Sequence, residues 1–156
     1  MDRVEKELIE QMKKAGYVFE MATVGYFQEI KGNKPKGDRL KVFTTSDKGF
    51  PQVHVHIGDD STMGAELNIC IKLDKPEYFI HDKSSGKFTK SQLESFIKFM
   101  KTPYHGPLQY NGAKIPTMWD YTLVQWNLEN PEHEIPIEEK DGFVITPPMP
   151  DYTKLR

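Results

Sequence analysis

Residues 52–57, Gln-Val-His-Val-His-Ile, alternate polar and aliphatic side chains without a break. Successive strand residues point to opposite sides of a sheet, so this period of two puts Val53, Val55 and Ile57 on one face and Gln52, His54 and His56 on the other. A helix would scatter the same residues around its circumference. The run at 66–73, Glu-Leu-Asn-Ile-Cys-Ile-Lys-Leu, alternates in the same way, with Gly58-Asp59-Asp60-Ser61 as the turn after the first run. The two runs predict an antiparallel pair with one buried face. Whatever else the chain does, it must supply partners for that sheet.

The strongest helix start lies at Thr89, where Thr89-Lys90-Ser91-Gln92 matches a capping box and Phe88 can staple onto Leu93. Leu93, Phe96, Ile97 and Met100 form its apolar stripe, and Pro103 stops it. Val4, Leu8, Ile9 and Met12 predict a second amphipathic helix over 2–15, ended by Gly16. A third opens at Pro116-Thr117, carries Trp119, Leu123 and Trp126 at helical spacing, and ends before Pro131. Residues 17–27 are aromatic and β-branched and read as one long strand or two. Residues 31–39, with two Gly, a Pro and four basic side chains, read as a solvated loop. Leu40–Phe43 is extended again, and a short strand is expected near Tyr78–His81. Residues 131–156 hold five of the eleven prolines and a cluster of acids, which predicts an extended arm with one strand at Phe143-Val144-Ile145.

The expected fold is therefore α+β in a single domain over 1–156, with a compact core over 1–130 and the proline-rich acidic arm beyond it. The sheet is expected to be mainly antiparallel, of about four to six strands, packed on one face by the helices at 2–15 and 89–101.

A net charge of −2 and a 28% charged fraction give the molecule no overall field that would draw it to nucleic acid or anionic lipid. Eighteen Lys stand against three Arg, the residue that grips phosphate and guanine through two parallel bonds, which weighs against sequence-specific DNA reading. The charged first residues do not read as a signal peptide, and no apolar run is long enough to span a membrane. With Cys70 as the one cysteine, no internal disulfide is available, and a reducing, cytoplasmic setting is expected.

Three groups of residues are candidates for function. His54 and His56 project to the same side of one strand and could share a divalent metal, with His81, Asp59, Asp60 or Glu66 as further ligands. Trp119, Tyr121 and Trp126 could anchor a protein interface, although two Trp on a short helix also suit a core. The basic segment with Lys34, Lys36, Arg39 and Lys41 could touch phosphates, and a solvated loop accounts for the same residues. Cys70, between two isoleucines, reads as a small buried hydrophobe. No phosphate-cradling Gly-rich loop and no assembled nucleophile set can be found.

The stretch Phe50-Pro51-Gln52-Val53-His54-Val55-His56, followed by a polar turn, a second alternating strand and the Thr89 helix, resembles a family of small bacterial domains of unknown function. The likeness covers residues 40–101. Members of that family carry a Pro-His-Val-His strand, then a hairpin, then a helix, and their genes often lie among mobile or toxin–antitoxin-like loci. Here Gln52 stands where the family has its first His, and His56 is an addition, so only His54 carries over. The resemblance implies a bacterial or phage origin and no particular reaction. The first expectation for function is thus a non-enzymatic module that binds a protein, or a second copy of itself, through its aromatic and acidic C-terminal third. The alternative is a small metal-dependent hydrolase or nuclease built on His54 and His56.

Overall fold

The alternating run at 52–57 forms a strand in the computed structural model, which describes residues 21–31, 34–45, 52–59, 69–80 and 86–156. Strands β1 (Met21–Lys31), β2 (Lys34–Thr45), β3 (His54–Asp59) and β4 (Ile69–Lys72) pair antiparallel in chain order. The expected antiparallel pair is β3 with β4. The helix expected over 2–15 lies outside the described residues.

The segment read as a basic loop is instead strand. β1 runs to Lys31 and β2 begins at Lys34, which leaves Gly32 and Asn33 between them. Pro35 is tolerated because β2 pairs with β3 from Leu40 onward, so among the described residues the start of β2 has a neighbour on one side alone. Lys41, counted with the basic segment, is buried, with its ammonium 5.8 Å from the Phe43 ring centroid.

Helix α1 (Lys90–Met100) begins as its sequence predicts. The Thr89 hydroxyl accepts from the Gln92 amide at 3.1 Å and the Gln92 side chain accepts from the Thr89 amide at 2.9 Å. It packs on β1, where Gly25 makes room: a Cβ there would lie 2.8 Å from the Phe99 ring. Helix α2 (Met118–Glu129) has the same cap chemistry through Thr117 and Asp120.

A second sheet of short strands follows, β5 (Gln109–Tyr110), β6 (Ala113–Lys114), β7 (Glu138–Lys140) and β8 (Phe143–Ile145), in the order β5-β6-β8-β7. Its β6–β8 pair is parallel and the other pairs are antiparallel. Each hairpin turns on two residues with positive φ, Asn111-Gly112 and Asp141-Gly142, the dipeptides whose left-handed backbone matches the twist of paired strands.

Among the described residues, two clusters of buried side chains result. The larger joins Val42, Val55, Ile57, Ile69 and Ile71 of the first sheet to Phe96 and Met100 of α1 and to Trp119, Leu123 and Trp126 of α2. The smaller gathers Leu108, Ala113, Ile115, Val124 and Val144 around the second sheet. The aliphatic face of β3 is buried as expected, and its histidine face is enclosed too.

The C-terminal segment is extended and carries a strand at Phe143–Ile145, but it is stitched to the core rather than projecting from it. Ile135, Val144 and Tyr152 are buried. The Asn127 side chain donates to the Ile135 carbonyl at 2.8 Å and accepts from the Ile135 amide at 2.6 Å. The Tyr152 hydroxyl donates to the Lys72 carbonyl at 2.6 Å, and burial pushes its ionisation far above the ordinary phenol range. Prolines here do not signal a free arm, because the segment makes its contacts through side chains, carbonyls and the amides of its other residues, none of which its prolines remove. Among the described residues, no helix is long and apolar enough to cross a membrane.

Candidate metal centre

The site starts from strand register. β3 and β4 pair with His54 opposite Lys72 and His56 opposite Cys70. Residues directly opposite in an antiparallel pair share a face, so Cys70 joins the side of the sheet that His54 and His56 already occupy. One ligand atom from each of His54, His56 and Cys70 lies within 4.8 Å of the others. Metal–ligand bonds of about 2.0–2.3 Å require donor atoms roughly 3.3–3.8 Å apart, so closing around an ion takes rotamer adjustments of about an ångström.

All three side chains are buried, His54 at 0%, His56 at 9% and Cys70 at 1% exposure. The first imidazole is held from behind. His54 Nδ1 lies 2.6 Å from the Gln52 carbonyl oxygen, which can only accept, so Nδ1 carries a proton and Nε2 is the nitrogen that a neutral ring would offer to an ion. A backbone carbonyl on the far nitrogen is the usual way a ligating histidine has its tautomer and ring plane set.

The walls are aromatic. Phe43, opposite His56 on β2, stacks on that ring at 5.2 Å between centroids and 13° between planes. The His54 ring lies 5.0 Å from that of His56, 4.9 Å from Phe79 and 5.1 Å from Trp126. Phe79 is itself fixed by its backbone amide, which donates to the Cys70 carbonyl at 2.9 Å. Two neutral nitrogen donors and one sulfur in such surroundings form a set suited to borderline and soft cations, and unsuited to magnesium or calcium.

Of the residues expected at this site from sequence, His54 and His56 are brought together. His81, Asp60 and Glu66 lie outside the described residues, as does the side chain of Asp59. Cys70 was read correctly as buried but not as a neighbour of the histidines. The signal that could have found it is the pairing of the two alternating runs, since a register that sets residue 56 against residue 70 puts Cys70 on the histidine face.

The expected aromatic anchors are core residues instead. Trp119 and Trp126 are 6% and 0% exposed, and their indole N–H groups donate inward to the carbonyls of Pro147 and His133, each at 2.9 Å. Tyr121 stacks on Tyr104 at 4.3 Å and its hydroxyl accepts from Gln125. Lys34, Lys36 and Arg39 fall on β2, with side chains outside the described set. A cleft of about 400 Å³ opens elsewhere, between Tyr104, Leu108, Pro116 and Phe143, and its lining holds one charged side chain, Lys114. Comparison with family models, curated proteins and solved structures gave no match for this chain.

Proposed function

We propose that this protein binds a transition-metal ion through His54, His56 and Cys70. The observation that carries the reading is the convergence of three donor side chains within 4.8 Å on one buried sheet face. Their enclosure favours an ion that stabilises the sheet or reports metal availability. A hydrolytic ion needs an open position that substrate and water can reach. Docking through the C-terminal third, the other expectation, draws less support, because Trp119 and Trp126 belong to the core and residues 131–156 are joined to it.

The test is elemental analysis of untagged protein purified without added metal, with thermal melts before and after metal addition. We expect about one zinc or copper ion per chain and a melting temperature that rises with metal concentration, as binding to the folded state requires. The His54→Ala/His56→Ala variant should lose both. A metal-free protein whose melting temperature is indifferent to zinc and to copper would refute the reading.

A further inference from the structure

Lys140, Phe143 and Lys114 stand side by side across β7, β8 and β6 of the second sheet. Register partners on neighbouring strands share a face, and Ala113 and Val144 take the inward face of this sheet, so the three side chains lie on its outer side. All three are exposed. Phe143 is the unusual member, a large ring left 47% accessible and set between two cations. Beside this row opens the cleft of about 400 Å³, whose apolar walls come from Tyr104, Pro107, Leu108, Ile115, Pro116 and Phe143 itself. Lys114 is the one charged residue in its lining, and among the described residues no carboxylate lines it.

The walls are fixed before anything binds. The Tyr104 ring stacks on Tyr121 at 4.3 Å between centroids, its amide donates to the Pro116 carbonyl at 3.1 Å, and its hydroxyl accepts from the Leu108 amide at 3.0 Å. The chain crosses so close to that ring that a Cβ at Gly106 would collide with the Tyr104 hydroxyl. Pro107 and Pro116 add rings that hold φ rigid. A preformed cleft of this size suits a small molecule, because little ordering of the site opposes binding. We propose that it binds a small planar molecule carrying a negative charge, with the ring against Phe143 and the anionic group beside Lys114. The flat, apolar faces select a ring. Charge complementarity sets the sign, since Lys114 lies in the lining and Lys140 just beyond Phe143. Glu138, opposite Ile145 on the same outer side, stands two strands from Lys114 and repels an anion placed over β7, which seats the charge toward Lys114. This site shares no residue with the metal centre and does not depend on it.

The experiment is titration of the isotope-labelled full chain with 1-naphthoate, with adenosine monophosphate and with the neutral ring 1-naphthalenemethanol, followed by backbone amide chemical shifts. We expect saturable shifts confined to residues 104–116 and 142–144 with at least one of the two anions, and whichever binds tighter distinguishes a carboxylate ligand from a phosphate. The neutral ring should bind about fivefold more weakly, the upper worth of one ion pair at an open site. Lys114→Gln should weaken the anion by the same factor, with Lys114→Arg retaining most of the affinity, and Phe143→Ala should weaken it about tenfold through lost ring packing. The comparison of charged and neutral rings uses the unaltered protein and so does not depend on any variant folding. A neutral ring bound as tightly as the anions, shifts centred elsewhere, or no saturation at millimolar ligand would overturn the proposal. A single-stranded oligonucleotide that binds more tightly as it lengthens would give the face to nucleic acid, and shifts of the same amides on raising protein concentration alone would give it to a second copy. Either result overturns the small-molecule site.

Discussion

The Asn127 side chain ties α2 to the segment that follows it. Its amide is buried and bonds both the amide and the carbonyl of Ile135, in the geometry of a strand partner. Asn130, one turn later, donates to the Thr45 carbonyl and so ties the end of α2 to the end of β2. Replacing Asn127 by Ala leaves two backbone groups of Ile135 without that partner in the interior. Each unsatisfied buried group costs about 1–3 kcal/mol, so Asn127→Ala should destabilise the protein by roughly 2–6 kcal/mol. Urea denaturation measures this, and a loss below about 0.5 kcal/mol, the scatter expected of an ordinary surface change, would show that Ile135 is not held as described. The same scale explains which residues could be read in advance. Thr89 and Thr117 announce their helices because a cap is a local bond between residues three apart. Cys70 gives no such notice, since its neighbours come from a strand fourteen positions earlier in the chain.

Among elements, the two short hairpins illustrate how much punctuation matters. Residues 103–112 hold four prolines and glycines, the composition of a loop, yet Asn111-Gly112 is the turn of β5–β6, and Asp141-Gly142 does the same work for β7–β8. Strands of two and three residues have too short a period to show alternation, so of the four only β8, with its Phe-Val-Ile run, announces itself, and the turns mark the rest. The basic segment was misread for a related reason. Pro35 and two glycines signal loop by composition, whereas pairing with β1 holds residues 34–45 extended. Gly142 gives a clean test, because a methyl group added there meets nothing within 4 Å and any penalty comes from the backbone alone. At φ +82°, Gly142→Ala should cost about 1–2 kcal/mol of stability, the price of left-handed backbone for an L-residue. A variant as stable as the parent in chemical denaturation would mean that β7–β8 is not held in this turn.

For the molecule as a whole, the question is whether residues 131–156 are a separable arm. Their composition, rich in proline and acid, predicts separation, and their contacts argue against it. They supply two of the four strands of the second sheet and three buried side chains, Ile135, Val144 and Tyr152. They also supply the carbonyl partners of both indoles, and Tyr152 closes on Lys72 at the far side of the first sheet. The chain end is held in the same way, with the Arg156 amide donating to Pro76 and the Tyr78 amide donating to Arg156. Burying three such side chains is worth roughly 1.5–3 kcal/mol each, so their loss removes about 5–9 kcal/mol before any hydrogen bond is counted. A domain of this size has only about 5–15 kcal/mol in total. Deleting residues 131–156 should therefore abolish the cooperative thermal transition and expose Trp119 and Trp126 to solvent, seen as a red shift of their fluorescence. Restoring residues 131–146 alone would return β7 and β8 but not Tyr152, and should recover only part of the stability. A truncated chain that still melts cooperatively, with its tryptophan emission unchanged, would establish that the segment is an appendage and that the core closes without it.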